Sequence, residues 1–400
     1  MTRHPELMNV LYLMTNFPRW DGDVHSPWAV ELIHRLAARG VQVTVCAPAY
    51  HGLRDHQIEG ISVKRYRYAP ASWETLTHDS GAPTKIRRQP LYAFLLPSYL
   101  LAGSWRVWQL CHGERWDAIH VHWPIPQGLL ALAGCPRRRA RLISTFYGAD
   151  LALVRRNPWL KPLLKLVVRR SHAVTAISRY TAGQLTSLCG IEPLVIPYGV
   201  DMSQPVEAMA GPKPAPVEIL SVGRLIERKG HVILIEAMAY LTQHMEGVAL
   251  TIIGEGPERL HLERRIAELG LTNRVRLLGR VSDEELQRAY ARCDMFVLPS
   301  IVDTAGDTEG LGMVLLEAMR YAKPVIASGL GGITDIVEHE VTGLLVPPAD
   351  AVALAEAMQR LIEEPHLAER LGHAGRQINA ERFAWERIVD AYIRLYSGTE

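Results

Sequence analysis

The sequence predicts an α/β protein of two doubly wound parallel-sheet domains facing each other across a cleft, with a last helix crossing back to the first domain. Three observations carry this. Short apolar runs alternate with helical patterns along all 400 residues, an order that means parallel strands joined by crossover helices. The alternation runs twice, and the Pro-, Ala- and Gly-rich stretch 204–216 between the two rounds reads as a linker. Hydrophobic residues make up 48% and charged residues 22%, as in a globular chain with large cores. The expected domains are 1–203, completed by 383–400, and 204–382.

In the first half, the apolar runs 10–14, 41–47, 61–66, 118–122, 141–145, 173–177 and 194–197 predict strands. A helix is expected over 27–39, with Ser26 as N-cap and Pro27 at the first helical position. In the second half the strands fall at 218–222, 250–253, 275–278, 295–298, 325–327 and 344–346. Ser282 and Glu285 have the spacing of a capping box for the helix that follows. The closing segment 383–397 spaces Trp385, Ile388, Tyr392 and Tyr396 as one apolar helical face.

Composition excludes several classes. The five cysteines are scattered and form no Cys-x-x-Cys pair, which argues for a reducing compartment and against zinc or a disulfide framework. The run 10–14 is too short for a signal-peptide core, and no apolar run reaches the ~20 residues of a membrane span. A cytoplasmic protein is expected. Net charge is +2, but residues 1–200 hold 24 Lys and Arg against 12 Asp and Glu, and residues 201–400 hold 20 against 30. The basic half predicts an anionic partner, a membrane surface or an acidic substrate. No aromatic-basic recognition motif points to nucleic acid.

The stretch DTEGLGMVLLEAMRYAKPVIAS carries the most chemistry. It reads as a loop entering a helix. Gly310 and Gly312 let the backbone approach a ligand, and the N–H groups around Gly312, Met313 and Val314 form an anion site at a helix start. Glu309 and Glu317, two helical turns apart, can reach opposite ends of one bound molecule. A nucleotide sugar, with phosphate between hydroxyl-rich ends, fits that description. Residues 222–230 read VGRLIERKG and place Gly223, Arg224 and Lys229 in a loop after a strand. Two cations there can hold a diphosphate and stabilise its charge as it leaves. Loop positions of this kind predict little effect on folding when replaced. The turn GEGP, with Gly254 and Gly256, follows the next strand.

Together these segments resemble the retaining glycosyltransferases of family 4, which have the GT-B fold of two Rossmann-like domains. VGRLIERKG, IIGEGPE, MFVLPS, EGLGMVLLEAM, PVIASGLGGITDIV and TGLLVPP occur in that family's order, and AISRYTAGQL and VIPYGVD match the end of its first domain. The resemblance covers nearly the whole chain. It implies a nucleoside-diphosphate sugar donor, transfer with retention at the anomeric carbon, and no obligate metal or other cofactor. It assigns Arg224 and Lys229 to the donor diphosphate, and Glu309 to the sugar hydroxyls. The amides of Gly310, Leu311, Gly312, Met313 and Val314 would serve the sugar and phosphates, and Glu317 the ribose. The family's His-Gly-x-Asp motif reads Tyr147-Gly148-Ala149-Asp150 here, with Tyr in place of His. The usual glycine pair after the first strand is reduced to Gly22, flanked by Asp21, Asp23 and His25, in a loop that normally faces the acceptor.

Two further features have a plain and a functional reading. Asp303 and Asp307 sit in an acidic loop that reads as solvated rather than as a cation site. His120 and His122 end a strand in HVHWPIP, where His122 can approach an acceptor or belong to the core. The uncharged stretch 90–105 and the basic stretch 155–170, RRNPWLKPLLKLVVRR, are each compatible with packed domain helices or with a membrane interface. The function expected is sugar transfer onto a glycan or lipid-linked glycan, peripheral to the inner face of the cell membrane. An epimerase of the same fold and a non-catalytic nucleotide-sugar-binding partner are the alternatives.

Overall fold

The first eight strands pair into one sheet in the order β3-β4-β2-β1-β5-β6-β7-β8. They are β1 (Met8–Leu13), β2 (Val41–Pro48), β3 (His56–Ile58), β4 (Ile61–Tyr66), β5 (Ala118–His122), β6 (Arg141–Phe146), β7 (Ala173–Ala176) and β8 (Leu194–Val195). All pairs are parallel except β3 with β4, an antiparallel edge. The structure, a computed structural model, describes residues 7–23, 26–78, 81–135, 140–201 and 216–399. The stretch 204–215 of the expected linker lies outside them.

Alternate residues of β1 serve two cores. Val10 and Tyr12 pack with the helices Pro27–Ala37 and Trp385–Ser397. Leu11 and Leu13 pack on the other face, beneath Tyr99, Val107 and Leu130. Contacts group residues Met1–Gly199 with Trp385–Glu400, so the C-terminal helix is part of the first unit. Trp385, Ile388, Val389, Tyr392 and Tyr396 supply its buried stripe.

The second unit, Val200–Ala384, holds a six-stranded parallel sheet in the order β11-β10-β9-β12-β13-β14. Its strands are β9 (Val217–Val222), β10 (Val248–Ile253), β11 (Val275–Gly279), β12 (Met295–Leu298), β13 (Val325–Ser328) and β14 (Leu344–Val346). Met238, Leu262, Leu354 and Leu371, from four helices, close one core against it. The expected capping box forms, with Ser282 Oγ accepting from the Glu285 N–H and the Glu285 carboxylate accepting from the Ser282 N–H.

Two expectations need correction, the Ser26 cap and the strand set. Ser26 does not cap the helix Pro27–Ala37: it adopts φ 55° and ψ 47°, and its hydroxyl donates to Asn16 Oδ1 at 3.1 Å. A left-handed residue cannot turn its side chain back onto the first helical amides, so Pro27 alone marks that start. The basic stretch 155–170, expected as packed domain helices or a membrane interface, runs through two helices. It breaks at Asn157-Pro158 between the helices Ala149–Arg156 and Lys161–Arg170, because Pro disfavours helical backbone in the residue before it. The strand β3 has no counterpart in the expected set, since His-Gln-Ile is too short and too polar to register as an alternating run.

Candidate functional site

Both sheets reverse their direction of growth at one point. From β9 the chain builds outward through β10 and β11, then returns to add β12 on the other side. The loops leaving β9 and β12 therefore open side by side at the carboxyl ends of the strands, where doubly wound sheets bind ligands.

Backbone hydrogen bonds tie these loops together. Gly223 N–H donates to Ile253 O, Leu225 N–H to Glu255 O, and Ile301 N–H to Arg228 O. Gly332 N–H donates to Glu309 O at 2.9 Å. Two of the glycines are sterically required. A Cβ on Gly254 would lie 1.9 Å from the Gly223 carbonyl oxygen, and one on Gly332 would lie 2.0 Å from that of Gly310. Gly256 fits as closely under Leu225.

On this frame the structure brings Lys229 and Glu309 into contact. Lys229 Nζ lies 2.6 Å from Glu309 Oε2, and only 11% and 12% of the two side chains is exposed. Burial works against the Glu309 charge. The charge and hydrogen bond of Lys229, with Arg228 and Arg224 behind it, outweigh that penalty and hold its pKa below the usual range. Arg228 pairs with Asp307 at 3.3 Å. Among the described residues Arg224 has no side-chain hydrogen bond. Its pKa is lowered, first by burial and then by Arg228, against the pull of Glu309 and Asp307. Lys229 corrects the expectation of an open loop: it ends a short 3-10 turn, Glu227–Lys229, and is buried.

The helix after the GLG loop spans Met313–Arg320, with Gly312 at φ 95° before it. The amides of Met313 and Val314 open its first turn and have no carbonyl within the helix to bond. Gly310 and Leu311 stand just before that turn. Glu317 lies one turn inside the helix and Glu309 outside it, so the expected two-turn helical spacing is not realised. The Glu317 carboxylate accepts from Tyr290 Oη at 2.6 Å, and burial raises its pKa. Sequence reasoning missed Tyr290. It lies on the helix Asp283–Arg292, and only a buried tyrosine beside the polar face of a helix end could have signalled it.

The acidic loop turns its oxygens inward. Asp303 Oδ1 accepts from the N–H groups of Ala305 and Asp307, and Glu227 accepts from the Thr304 N–H and hydroxyl. The described residues include no group of three His, Cys, Asp or Glu side chains placed to hold a metal ion.

The first sheet reverses between β1 and β5, and its reversal point is filled with aromatic rings. His120 and His122 are fully buried. His120 bonds Tyr396 Oη and Thr145 Oγ1, each at 2.7 Å, and Tyr396 Oη meets Tyr12 Oη at 2.8 Å. His122 Nδ1 lies 2.5 Å from Tyr147 Oη. Burial lowers the His122 pKa to about 3, so its ring is neutral at pH 7. His122 therefore does not stand open to an acceptor, because Tyr12, Trp28 and Tyr147 enclose it. Tyr147 stacks on Trp123 and its hydroxyl is already engaged.

Asp150 is buried beneath the start of the helix Ala149–Arg156 and accepts from the N–H groups of Tyr147 and Leu151. Burial pushes its carboxyl up to about 7, against those amides. Gly22 occupies a turn at φ 80°, next to the Arg19–Asp23 ion pair at 2.7 Å. His25 lies outside the described residues.

Comparisons with known proteins cover both units. The model of "Glycosyl transferases group 1" matches residues 207–378, and that of "Glycosyltransferase Family 4" matches residues 28–204. Over 291 residues the chain is 32% identical to the GDP-mannose-dependent alpha-(1-6)-phosphatidylinositol monomannoside mannosyltransferase of Mycolicibacterium smegmatis, spanning 67% of this chain and 74% of that protein. Among solved structures, sucrose-phosphate synthase from Thermosynechococcus elongatus aligns with a TM-score of 0.79 at 24% identity over 98% of both chains. Anabaena Alr3699/HepE, solved in complex with UDP and glucose, aligns at 0.70 and 21% identity over 98% of this chain and 99% of that one. These two show a shared fold.

Proposed function

The chain belongs to the family 4 glycosyltransferases and has their GT-B fold. From that premise we propose that it moves a sugar, with retention and without a metal, from a nucleoside-diphosphate donor onto a hydroxyl of a glycan or lipid-linked glycan. The observation that carries the reading is the convergence of Arg224, Arg228, Lys229 and Glu309 beside the open amides of Met313 and Val314. A diphosphate needs positive charge and free N–H donors in one place, and a sugar needs a fixed carboxylate. In the reaction the bond from the anomeric carbon to the diphosphate oxygen breaks and its electron pair leaves with the phosphate. Arg224 and Lys229 stabilise that charge. The acceptor oxygen bonds to the same face of the anomeric carbon, and its proton passes to the departing phosphate oxygen. Glu309 orients the sugar hydroxyls and Glu317 the ribose. The second unit binds the donor in this scheme and the first unit the acceptor.

The relatives give the starting panel: one is named for GDP-mannose as donor, and one fold neighbour was solved with UDP and glucose. A location peripheral to an anionic membrane, on its cytoplasmic face, belongs to the same reading, supported by the basic first half. Among the described residues no helix is long and apolar enough to cross a membrane. The test incubates purified protein with a nucleotide-sugar panel, with and without lipid-linked and soluble acceptors. The configuration of the new linkage is then read by NMR. An inverted linkage would overturn retention, and conversion of donor alone into an epimer would replace the transferase reading.

A further inference from the structure

The helices on one face of the first sheet form a tightly knit layer. Pro124–Gly134 lies between Leu95–Gly113 and Lys161–Arg170, and glycines set the spacing. A Cβ on Gly128 would meet Val167 Cγ1 at 2.5 Å, and one on Gly103 would meet Leu130 Cδ1 at 2.7 Å. The two flanking helices are thus held at fixed places in one layer. Each turns a distinct outer face to solvent.

On Leu95–Gly113 the inward residues are Tyr99, Gly103, Val107 and Leu110. The opposite side repeats Phe94, Leu101, Trp105 and Trp108 at helical spacing, and Phe94, Leu101 and Trp105 are 80%, 73% and 58% exposed. Trp105 and Trp108 stack at 4.7 Å. An apolar stripe of this size on a helix is not ordinary surface. The Lys161–Arg170 helix buries Leu164, Val167 and Val168 and turns Leu166, Arg169 and Arg170 outward, after an exposed Trp159. The charge around both is one-sided: residues 80–191 contain 16 Lys and Arg and only 3 Asp and Glu.

We infer that this helical layer docks the first unit on an anionic lipid bilayer, with the aromatic stripe of Leu95–Gly113 entering the headgroup region and the Lys161–Arg170 face meeting the lipid phosphates. Amphipathic helices with Trp and Leu on one side and cations nearby bind such interfaces in plane. A nucleic acid would use the cations but leave the apolar stripe without a partner. A second copy would cover the stripe but would bring two strongly basic faces together. The inference rests on the membrane part of the proposed function and gives it a surface.

The test uses vesicles of phosphatidylcholine with about 30% phosphatidylglycerol, and of phosphatidylcholine alone, at low salt. Wild type is compared with Leu101→Ser/Trp105→Ser and with Lys161→Ser/Lys165→Ser/Arg169→Ser, each checked for an unchanged unfolding midpoint. Wild type should sediment with the anionic vesicles only, with a blue shift of tryptophan fluorescence. Loss of three cations should weaken partitioning roughly 100-fold. The apolar variant should keep salt-sensitive sedimentation but lose the blue shift. Equal partitioning of all three proteins, or none by wild type, overturns the inference. So does a wild-type dimer in lipid-free solution that the apolar variant dissolves. Transfer to a water-soluble acceptor is measured on the same proteins. Transfer without vesicle binding removes only the docking surface, and vesicle binding without transfer removes the enzymatic reading and leaves the surface.

Discussion

The ε-ammonium of Lys229 and the carboxylate of Glu309, eighty residues apart in sequence, form a nearly buried ion pair at 2.6 Å. Each of the two thus holds the other in place before any ligand arrives. If Lys229 takes the donor diphosphate as proposed, incoming phosphate oxygens would compete with Glu309 for it, and the carboxylate so released would be free to accept sugar hydroxyls.

Lys229→Ala should consequently affect folding as well as activity. It strands the Glu309 charge, and breaking a buried pair costs about 3–5 kcal/mol. Lys229→Met combined with Glu309→Gln should recover most of that loss. Urea unfolding of the single and double variants checks this, and equal stability of Lys229→Ala and wild type would exclude the pair as a structural element.

Arg224→Ala should lower the transfer rate at saturating donor by ~100-fold while leaving stability nearly unchanged. Arg224 has no side-chain hydrogen bond to lose among the described residues. Single-turnover kinetics separate this from product release. Wild-type turnover by the folded variant would remove Arg224 from the diphosphate site.

The two glutamates should differ in kinetics. Glu317→Ala should chiefly raise the donor KM, because ribose contacts are alike in ground and transition states. Glu309→Ala should chiefly lower kcat. Tyr290→Phe should mimic Glu317→Ala more weakly, by roughly tenfold in KM, since it removes one hydrogen bond to a carboxylate. Competition by free nucleoside diphosphate decides the point. Unaltered product affinity in both Glu317→Ala and Tyr290→Phe would be incompatible with a ribose role.

Asp150 predicts a pH signature. Its folded pKa, raised by burial to about 7, lies above the ordinary carboxyl value of 3.8. Between those values the folded protein keeps a proton that the unfolded chain has lost. Stability from this group is therefore full at acid pH and is lost as pH rises through the window, by up to about 1.4 kcal/mol per unit. The unfolding free energy of wild type minus that of Asp150→Asn should fall from about pH 4 to about pH 7 and then level. A flat difference would mean that the carboxylate is ionised throughout.

Transfer should survive a metal chelator, because the cations at the proposed diphosphate site are side chains. Loss in chelator with recovery in magnesium or manganese would contradict this.

Legibility in the sequence followed the range of the interaction concerned. β4, β5, β12 and β14 fall on the residues expected, because a buried parallel strand is a short apolar run with polar ends. The glycines at Gly254, Gly310 and Gly312 were visible for a similar reason, as backbone demands written locally. What stayed hidden depends on distant partners. Nothing near Lys229 announces that Glu309 will neutralise it, and nothing near His122 announces the Tyr147 hydroxyl. Ser26 has the right identity for a cap, but an Asn16 side chain ten residues earlier draws its hydroxyl away.

The helix Trp385–Ser397 belongs to the core of the first unit, where Tyr396 bonds both Tyr12 and His120. During synthesis, β1 to β8 leave the ribosome well before that helix exists. Until it arrives, the face of β1 carrying Val10 and Tyr12 has only the helix Pro27–Ala37 as cover, and the Tyr12 hydroxyl and the Nδ1 of His120 lack the Tyr396 hydroxyl they will bond. The first unit can therefore reach its final packing only after the second has been made, which exposes the nascent half-protein to chaperones and proteases in the interval.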